Sequence, residues 1–378
     1  MSARQTRPPR RSGPVTVVPL HDLGEVRTGD DLAGLLVAAC RRAGRGPVDD
    51  DVLVVSSKVV AKAMGLWRPD RDEAVAAETR AVVAERRTPN GVTRIVRAAA
   101  GPVMAAAGVD ASNTGPEAHG RVLVLPHDPD VEAVRLREAV AARCGASPAV
   151  LLTDTSGRPW RVGQTDFALG CAGLRPTDDL RGGVDADGAA LSVTVRAVAD
   201  ELAGAAELVK GKADGVPAAL VHGCGDLVMR EHGAGAAPLV RFDAADWFAT
   251  GTVESVRAAL GCPPGTPGVE PAPAVPEDDA VGVLRRAVEV VRRGCLHEPA
   301  LAAVGLRADG DRVLVTGTVV AAARLAERVS VCARAERLVT TVEQLPEGQH
   351  GHPGRDGHAG GDGRDGRPPE VRLVVRPV

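Results

Sequence analysis

The chain has 378 residues, 44% hydrophobic and 25% charged, with a formal charge of -3. This is the composition of an ordinary globular protein, long enough for about two or three domains. No apolar run approaches the roughly 18 residues a membrane span requires, and the small net charge leaves no footprint for nucleic acid.

In chain order, residues 1–14 read as a basic arm, with no apolar stretch behind it to make a secretory signal. VTVV (15–18) predicts a strand, and Asp30 or Asp31 caps a helix over LAGLLVAACRRAG that ends at Gly44. The apolar run DVLVV (51–55) predicts a buried strand. It breaks into SSKVVAKAMG, a polar turn at the strand's carboxyl end, where ligands of open α/β sheets bind. Residues 72–87 carry a helical pattern, and TRIVR (93–97) and RVLVLP (121–126) read as strands. DPDVEAVRLREAVAARCG (128–145) is an amphipathic helix with an acidic start and a terminal Gly145. AVLLTDT (149–155) is a further buried strand, followed by a loop, SGRPWRVGQTD. Residues 191–211 read as a strand running into a helix closed by Gly211, and VPAALVHG (216–223) as a strand. PLVRF reads as a strand and residues 244–261 as a closing helix.

The Pro/Gly-rich stretch 262–279 reads as a linker and a domain boundary. Beyond it, 278–294 predicts a basic amphipathic helix, 311–319 a strand and 321–339 a helix, giving a small α+β unit over 280–346. Residues 347–370 are low in complexity, and their His350, His352 and His358 sit in what reads as a flexible tether. VRLVVRPV (371–378) predicts an edge strand. The fold expected is α/β with mixed sheets over 15–261, followed by the small unit.

Only four of the 46 basic residues are lysines, and they fall in two tight pairs, Lys58 with Lys62 and Lys210 with Lys212. A lysine is a compact ammonium that suits a phosphate as a point charge; the alternative is solvated surface. GVDASN (108–113) places Asp110, Ser112 and Asn113 in one turn, and TDTSGRPWRVGQTD (153–166) brings Asp154, Thr155, Arg158, Arg161, Gln164 and Asp166. Carboxylates, a hydroxyl and lysines recur where phosphate and a hard cation are handled together, since magnesium takes one or two carboxylates and completes its shell with water and phosphate. The bland alternative makes the aspartates Asx-turn residues that satisfy local backbone groups. The absence of GxxxxGK[ST] and of GxGxxG after a strand excludes a P-loop and leaves a Rossmann site unsupported. The seven cysteines are scattered and lack a CxxC pair, which points away from zinc and disulfides and toward a reducing cytoplasm. His21, His222 and His232 are isolated and read as core or surface residues.

DVLVVSSKVVAKAMG, AGVDASNTG, LLTDTSGRPWRVGQTDFALGCAGL and VADELAGAAELVKGKADGVPAALVHG stand in this order. Together, over about Val15 to Leu260, they resemble the coenzyme F420-0:L-glutamate ligase (gamma-glutamyl ligase) family. The resemblance implies that family's fold and a GTP-dependent ligation of L-glutamate to the carboxylate of F420-0 through an acyl phosphate. It also implies magnesium or manganese, a potassium requirement and a homodimer. By the same resemblance Leu23, Gly24, Glu25, Val26, Ser57, Lys58, Lys62 and Asn113 meet the nucleotide, and Asp110, Asp154 and Thr155 hold the metals. A further nucleotide-and-metal loop falls near Arg230–Ala237, with Glu231 its acidic member. Lys62 is assigned to catalysis on the phosphates, and Arg158 and Arg161 to holding a substrate carboxylate or phosphodiester by bidentate contacts. Two alternatives stand beside this: a non-catalytic nucleotide-binding or regulatory relative, or a ligase for a related deazaflavin precursor. The intact Asp110 and Asp154 favour an enzyme. GLRADGDRVLVTGTVVAAARLAERV (305–329) resembles a BON domain, so the last unit is a candidate for recruiting a pathway enzyme.

Overall fold

The computed structural model describes residues 13–115, 118–241, 246–274, 279–345 and 370–378. The basic arm, apart from Gly13 and Pro14, and the tether up to residue 369, with its three histidines, lie outside them. The chain divides into two compact units, residues 1–81 with 96–247 and residues 82–95 with 248–378. Among the described residues no helix is long and apolar enough to cross a membrane.

In the first unit β1 (Thr16–Pro19), α1 (Leu32–Arg42) and β2 (Val52–Ser56) arise as the patterning predicts, and Asp31 caps α1 by accepting the Gly34 N–H. The segment read as a polar turn is instead α2 (Ser57–Met64). The serines that suggested a turn are its cap and first residue, Val59, Val60 and Ala61 give it a buried face, and Gly65 in the left-handed region (φ 71°) ends it. After β3 (Trp67–Arg68), the helix expected over 72–87 stops early as α3 (Arg71–Ala77). Its second half becomes β4 (Thr79–Thr88), which neighbours β5 (Gly91–Ala98) across a turn at Pro89 and Asn90, and from Val82 to Ile95 these two strands belong to the second unit. Thr79, Val82 and Val83 suit a strand, and the cross-strand partner overrides the helical spacing.

There follow β6 (Val103–Ala105), β7 (Val122–Leu123) and α4 (Pro129–Cys144), which begins at the cap Asp128 and closes at Gly145. The stretch read as a loop continues β8 (Ala149–Arg158) into β9 (Arg161–Ala172) as one long hairpin turning at Pro159 and Trp160. Then come β10 (Asp178–Asp179), β11 (Val195–Arg196), α5 (Val198–Lys210) and β12 (Ala218–His222). The main sheet has the order β1-β12-β2-β8-β9, with β2 and β8 parallel and the other pairs antiparallel. Both its faces are covered. Leu53, Val55, Val150 and Leu152 pack with α1 and α4, and Val52, Val54, Ala149 and Leu151 pack with α5. Burying each valine or leucine among them stabilises by about 1.5–3 kcal/mol, so the sheet is a rigid platform for whatever sits at its edge.

The second unit adds α6 (Thr252–Ala259), β13 (Ala272–Pro273), α7 (Ala280–Gly294), α8 (Pro299–Ala302), β14 (Gly305–Asp309), β15 (Arg312–Thr318), α9 (Val319–Ala335), β16 (Thr340–Gln344) and β17 (Glu370–Pro377). The strand expected over PLVRF is a short 3-10 turn, Ala237–Leu239, and the closing helix is the shorter α6; residues 242–245 lie outside the described ones. The strands form an antiparallel sheet, β14-β15-β17-β16, whose inner residues Leu306, Val313, Val315 and Val375 pack on α7 and α9. The strand expected at the edge is therefore interior, with β15 on one side and β16 on the other, and Val374 and Val375 are both buried.

Candidate active site

Parallel pairing of β2 and β8 brings the carboxyl ends of both strands to the same edge of the main sheet. At the end of β2 the chain enters α2 at once, which sets Lys58 and Lys62 one turn apart on a single helix face. Where β2 ends, Ser56 pairs with the buried Thr153 in the middle of β8, and β8 runs on past it with Asp154 and Thr155 at the cleft. Asp166 on β9 is the cross-strand partner of Thr155. The C-terminus of α5 supplies Lys210, and the loop from Gly211 to Pro217 closes one side. These groups line a cleft of about 360 Å³, the size of a small-ligand site. All four lysines of the chain line it.

Each charge in the cleft has a distinct setting. Lys58 Nζ lies 2.6 Å from Asp110 Oδ2 and donates to the Ser112 carbonyl at 2.6 Å. The other Asp110 oxygen accepts the Ser112 N–H at 2.7 Å, an Asx turn. The turn and the ion pair thus coexist on one aspartate. Burial opposes ionised Asp110, but the Lys58 and Ser112 hydrogen bonds outweigh it and hold the carboxyl below its ordinary range. Lys62, 6% exposed, reaches Glu25 Oε1 at 2.5 Å. Gly115, in the left-handed region, leaves the space the Glu25 carboxylate occupies; a Cβ there would meet it. Lys210 Nζ lies 2.5 Å from Asp166 Oδ2, and burial of Asp166 is overcome by that ammonium, so its pKa also falls. Asn113 Nδ2 donates to the Lys212 carbonyl at 3.0 Å and ties the Asp110 turn to the Gly211–Pro217 loop.

Asp154 is different. Burial, reinforced by the charges of Asp110 and Asp166 and opposed by the Thr155 N–H and Lys212, pushes its pKa up to about 6. Among the described residues it has no ion-pair partner, and no three His, Cys, Asp or Glu side chains form a ready cage. Glu25, Asp110, Asp154, Asp166 and Glu207 line the cleft against the four lysines, which leaves one carboxylate in excess. An unpaired hard-oxygen acid among carboxylates fits a divalent cation that takes one or two protein carboxylates and leaves its other positions to water and phosphate.

Of the residues singled out in the sequence, the cleft brings together Gly24, Glu25, Val26, Lys58, Lys62, Asp110, Asn113, Asp154, Thr155, Asp166, Lys210 and Lys212. Leu23 is a core residue beside them, and Ser57 is buried at the start of α2. Arg158 and Arg161 do not join. They face each other at the exposed tip of the β8–β9 hairpin, because the segment read as a loop continues as strand and carries them away from the sheet edge. Glu231 and the 230–237 loop are also absent from the lining. That segment is held by Arg137, whose buried guanidinium donates to the carbonyls of Met229, Arg230 and Glu231. The loop that does line the cleft is Gly211–Pro217, and its signal was the second lysine pair. Glu207 carried no signal beyond the helical pattern.

Fold and cleft together define an α/β protein with ammonium and carboxylate groups gathered at the carboxyl edge of its main sheet. The model of the F420-0:gamma-glutamyl ligase family matches residues 22–223. The coenzyme F420:L-glutamate ligase of Haloarcula marismortui is 40% identical over 233 residues, 54% of this chain and 86% of that protein. That of Halobacterium salinarum is 40% identical over 222 residues, 53% and 83% of the two chains. That of Methanothermobacter thermautotrophicus is 34% identical over 246 residues, 60% and 96%. The chain belongs to the F420-0:gamma-glutamyl ligase family and is an enzyme of that type.

Proposed function

We propose that the enzyme joins L-glutamate to the carboxylate of F420-0 at the expense of GTP. The observation that carries this reading is the convergence of all four lysines on one cleft in a chain that otherwise uses arginine. A carboxylate is a poor acylating agent because its leaving group is oxide. Activation comes from the terminal phosphoryl group of GTP. Its bond to the bridging oxygen breaks, a bond to the F420-0 carboxylate oxygen forms, and GDP departs. The neutral glutamate amine then attacks the acyl carbon, the C–N bond forms, the acyl C–O bond breaks, and phosphate leaves with the proton the nitrogen gives up.

Phosphoryl transfer depends mainly on positioning and charge neutralisation. Lys58, Lys62 and Lys212 meet the phosphates as point charges, and Lys58 and Lys62 exchange their present carboxylate partners for phosphate oxygens. Asn113 and the Gly24–Val26 segment orient the nucleotide. Asp110, Asp154 and Thr155 would hold magnesium or manganese. That cation, when bound, would neutralise phosphate charge that one excess carboxylate would otherwise repel. The chain's own part is to keep the reacting groups together and away from bulk water, which would hydrolyse an acyl phosphate. The same reading carries a potassium requirement, a cytoplasmic setting and a homodimer.

Incubation with F420-0, L-glutamate, GTP and Mn2+ should give a glutamylated product by mass spectrometry, with GDP released in equal amount. Product formed equally well without nucleotide, or no product with all four present, overturns the proposal.

A further inference from the structure

We infer that Asp166, held by Lys210, is a positioning residue that presents the Thr155 hydroxyl to a divalent cation as an acceptor only. The inference rests on the nucleotide-and-cation reading of the cleft. Asp166 and Lys210 are both 3% exposed in their side chains. Thr155 Oγ1 donates to Asp166 Oδ1 at 2.7 Å, and Thr153 Oγ1 donates to Oδ2 at 2.8 Å. Lys210 Nζ donates to the same Oδ2 at 2.5 Å and to Thr153 Oγ1 at 2.9 Å.

A hydroxyl has one proton and two lone pairs. With its proton committed to Asp166, Thr155 can turn only lone pairs toward the cleft. Hard cations bind oxygen lone pairs, and a hydroxyl proton aimed at one would repel it. Asp166 has both oxygens engaged by three donors and acts through Thr155. Lys210 ends α5, where a lysine ordinarily stays in water and still favours the helix dipole. Here it turns inward at a desolvation cost that only a well-made pair offsets. With Thr153 and Lys210 both on Oδ2, the other oxygen of Asp166 is left to accept the Thr155 proton. Ligand-orienting partners of this kind matter because a correctly aimed donor atom need not be reoriented on binding.

The test measures Mn2+ binding directly, by the electron paramagnetic resonance signal of the free ion, on the full chain with a non-hydrolysable GTP analogue. Asp166→Leu combined with Lys210→Met replaces the ion pair with apolar side chains and removes the acceptor of the Thr155 proton. It should unfold cooperatively and yet bind Mn2+ roughly 10–100-fold more weakly. Thr155→Val should weaken binding to a similar degree. Adding it to the apolar pair should cost nothing more, because both changes remove the same oxygen's contribution. In turnover, kcat should fall while KM for glutamate holds. Asp166→Ala combined with Lys210→Met, a smaller replacement, serves the same comparison if the apolar pair does not fold. Wild-type Mn2+ affinity in the Asp166 variants, or losses that multiply in the combined variant, overturns the inference, as does a wild type that binds no Mn2+. A wild type that shows the Mn2+ pattern but makes no glutamylated product overturns the ligase reading and leaves this one standing.

Discussion

The cleft of the first unit and an arginine cluster in the second both rest on ion pairs, but they hold their charges differently. In the second unit Glu336 lies 2.7 Å from Arg257 and 2.7 Å from Arg286, and the three side chains are 3%, 7% and 1% exposed. Arg257 also donates to the Glu270 carbonyl at 3.0 Å. The planar guanidiniums fix α6, α7 and the end of α9 to one carboxylate and leave it nothing to exchange with. In the cleft the ammonium of Lys62 is buried while its partner Glu25 is 40% exposed, and Asp110 beside Lys58 is 31% exposed. Those pairs open onto solvent on their acidic side, so an incoming polyanion can replace the carboxylates. Sealed arginine pairs serve the fold, and the open pairs of Lys58 and Lys62 remain available for a ligand, while Lys210 and Asp166 in the same cleft are as sealed as the arginines.

That contrast can be broken by substitutions of the same kind in each place. The largest effect should come from Asp154→Asn, which removes a charge from the centre of the cleft. Turnover should fall by roughly 100–1,000-fold with the thermal transition retained, as measured by product formation under saturating substrates; near-normal turnover would remove Asp154 from the cation site. Glu336→Gln should do the reverse. Leaving two buried guanidiniums without their carboxylate should destabilise by about 3–5 kcal/mol, read from urea unfolding, with kcat per folded molecule unchanged. A loss of kcat at constant stability would mean that the cluster is not merely structural. Lys62→Ala should raise KM for GTP about 10–100-fold, the loss of a charge-assisted bond of roughly 1.5–3 kcal/mol; an unaltered GTP dependence would show that Lys62 serves only Glu25.

Much of this was legible before the structure. The lysine pairs stood out because arginine is the default cation of the chain, and all four lysines do meet in the cleft. The strands β2 and β8 were legible as apolar runs because both their faces are buried. What was not legible depended on partners distant in sequence. β4 carries helical spacing, and only its neighbour β5 makes it a strand. The terminal strand gave no sign that β15 and β16 would flank it. Arg158 and Arg161 looked like substrate clamps because a guanidinium makes bidentate contacts, but pleated strand carries them outward about 3.3 Å per residue to the hairpin tip, and they do not line the cleft. The role of Asp166 was hidden because its meaning lies in a hydroxyl on the facing strand and an ammonium at the end of a helix.

The smallest predicted effect is also the one that best separates the two regions. Asp154 titrates near 6 in the folded chain, against about 3.9 when unfolded. Between those values the native state binds the extra proton, so the stability of the cation-free protein falls as pH rises through the window from about 4 to 6. Above about 6 the destabilisation is complete. Partial contact with solvent in the cleft limits it to about 1–2 kcal/mol rather than the ~3 that the full shift would give. Asp154→Asn should therefore stabilise the cation-free protein at pH 7 to 8 by that amount and have almost no effect near pH 4, as followed by thermal melts across pH. Saturating Mn2+ and nucleotide should invert the comparison, because wild type gains binding energy that the variant lacks. A melting curve for Asp154→Asn that tracks wild type at every pH would show that the acid is not strained. The cleft would then hold its carboxylates as comfortably as the arginine cluster holds Glu336.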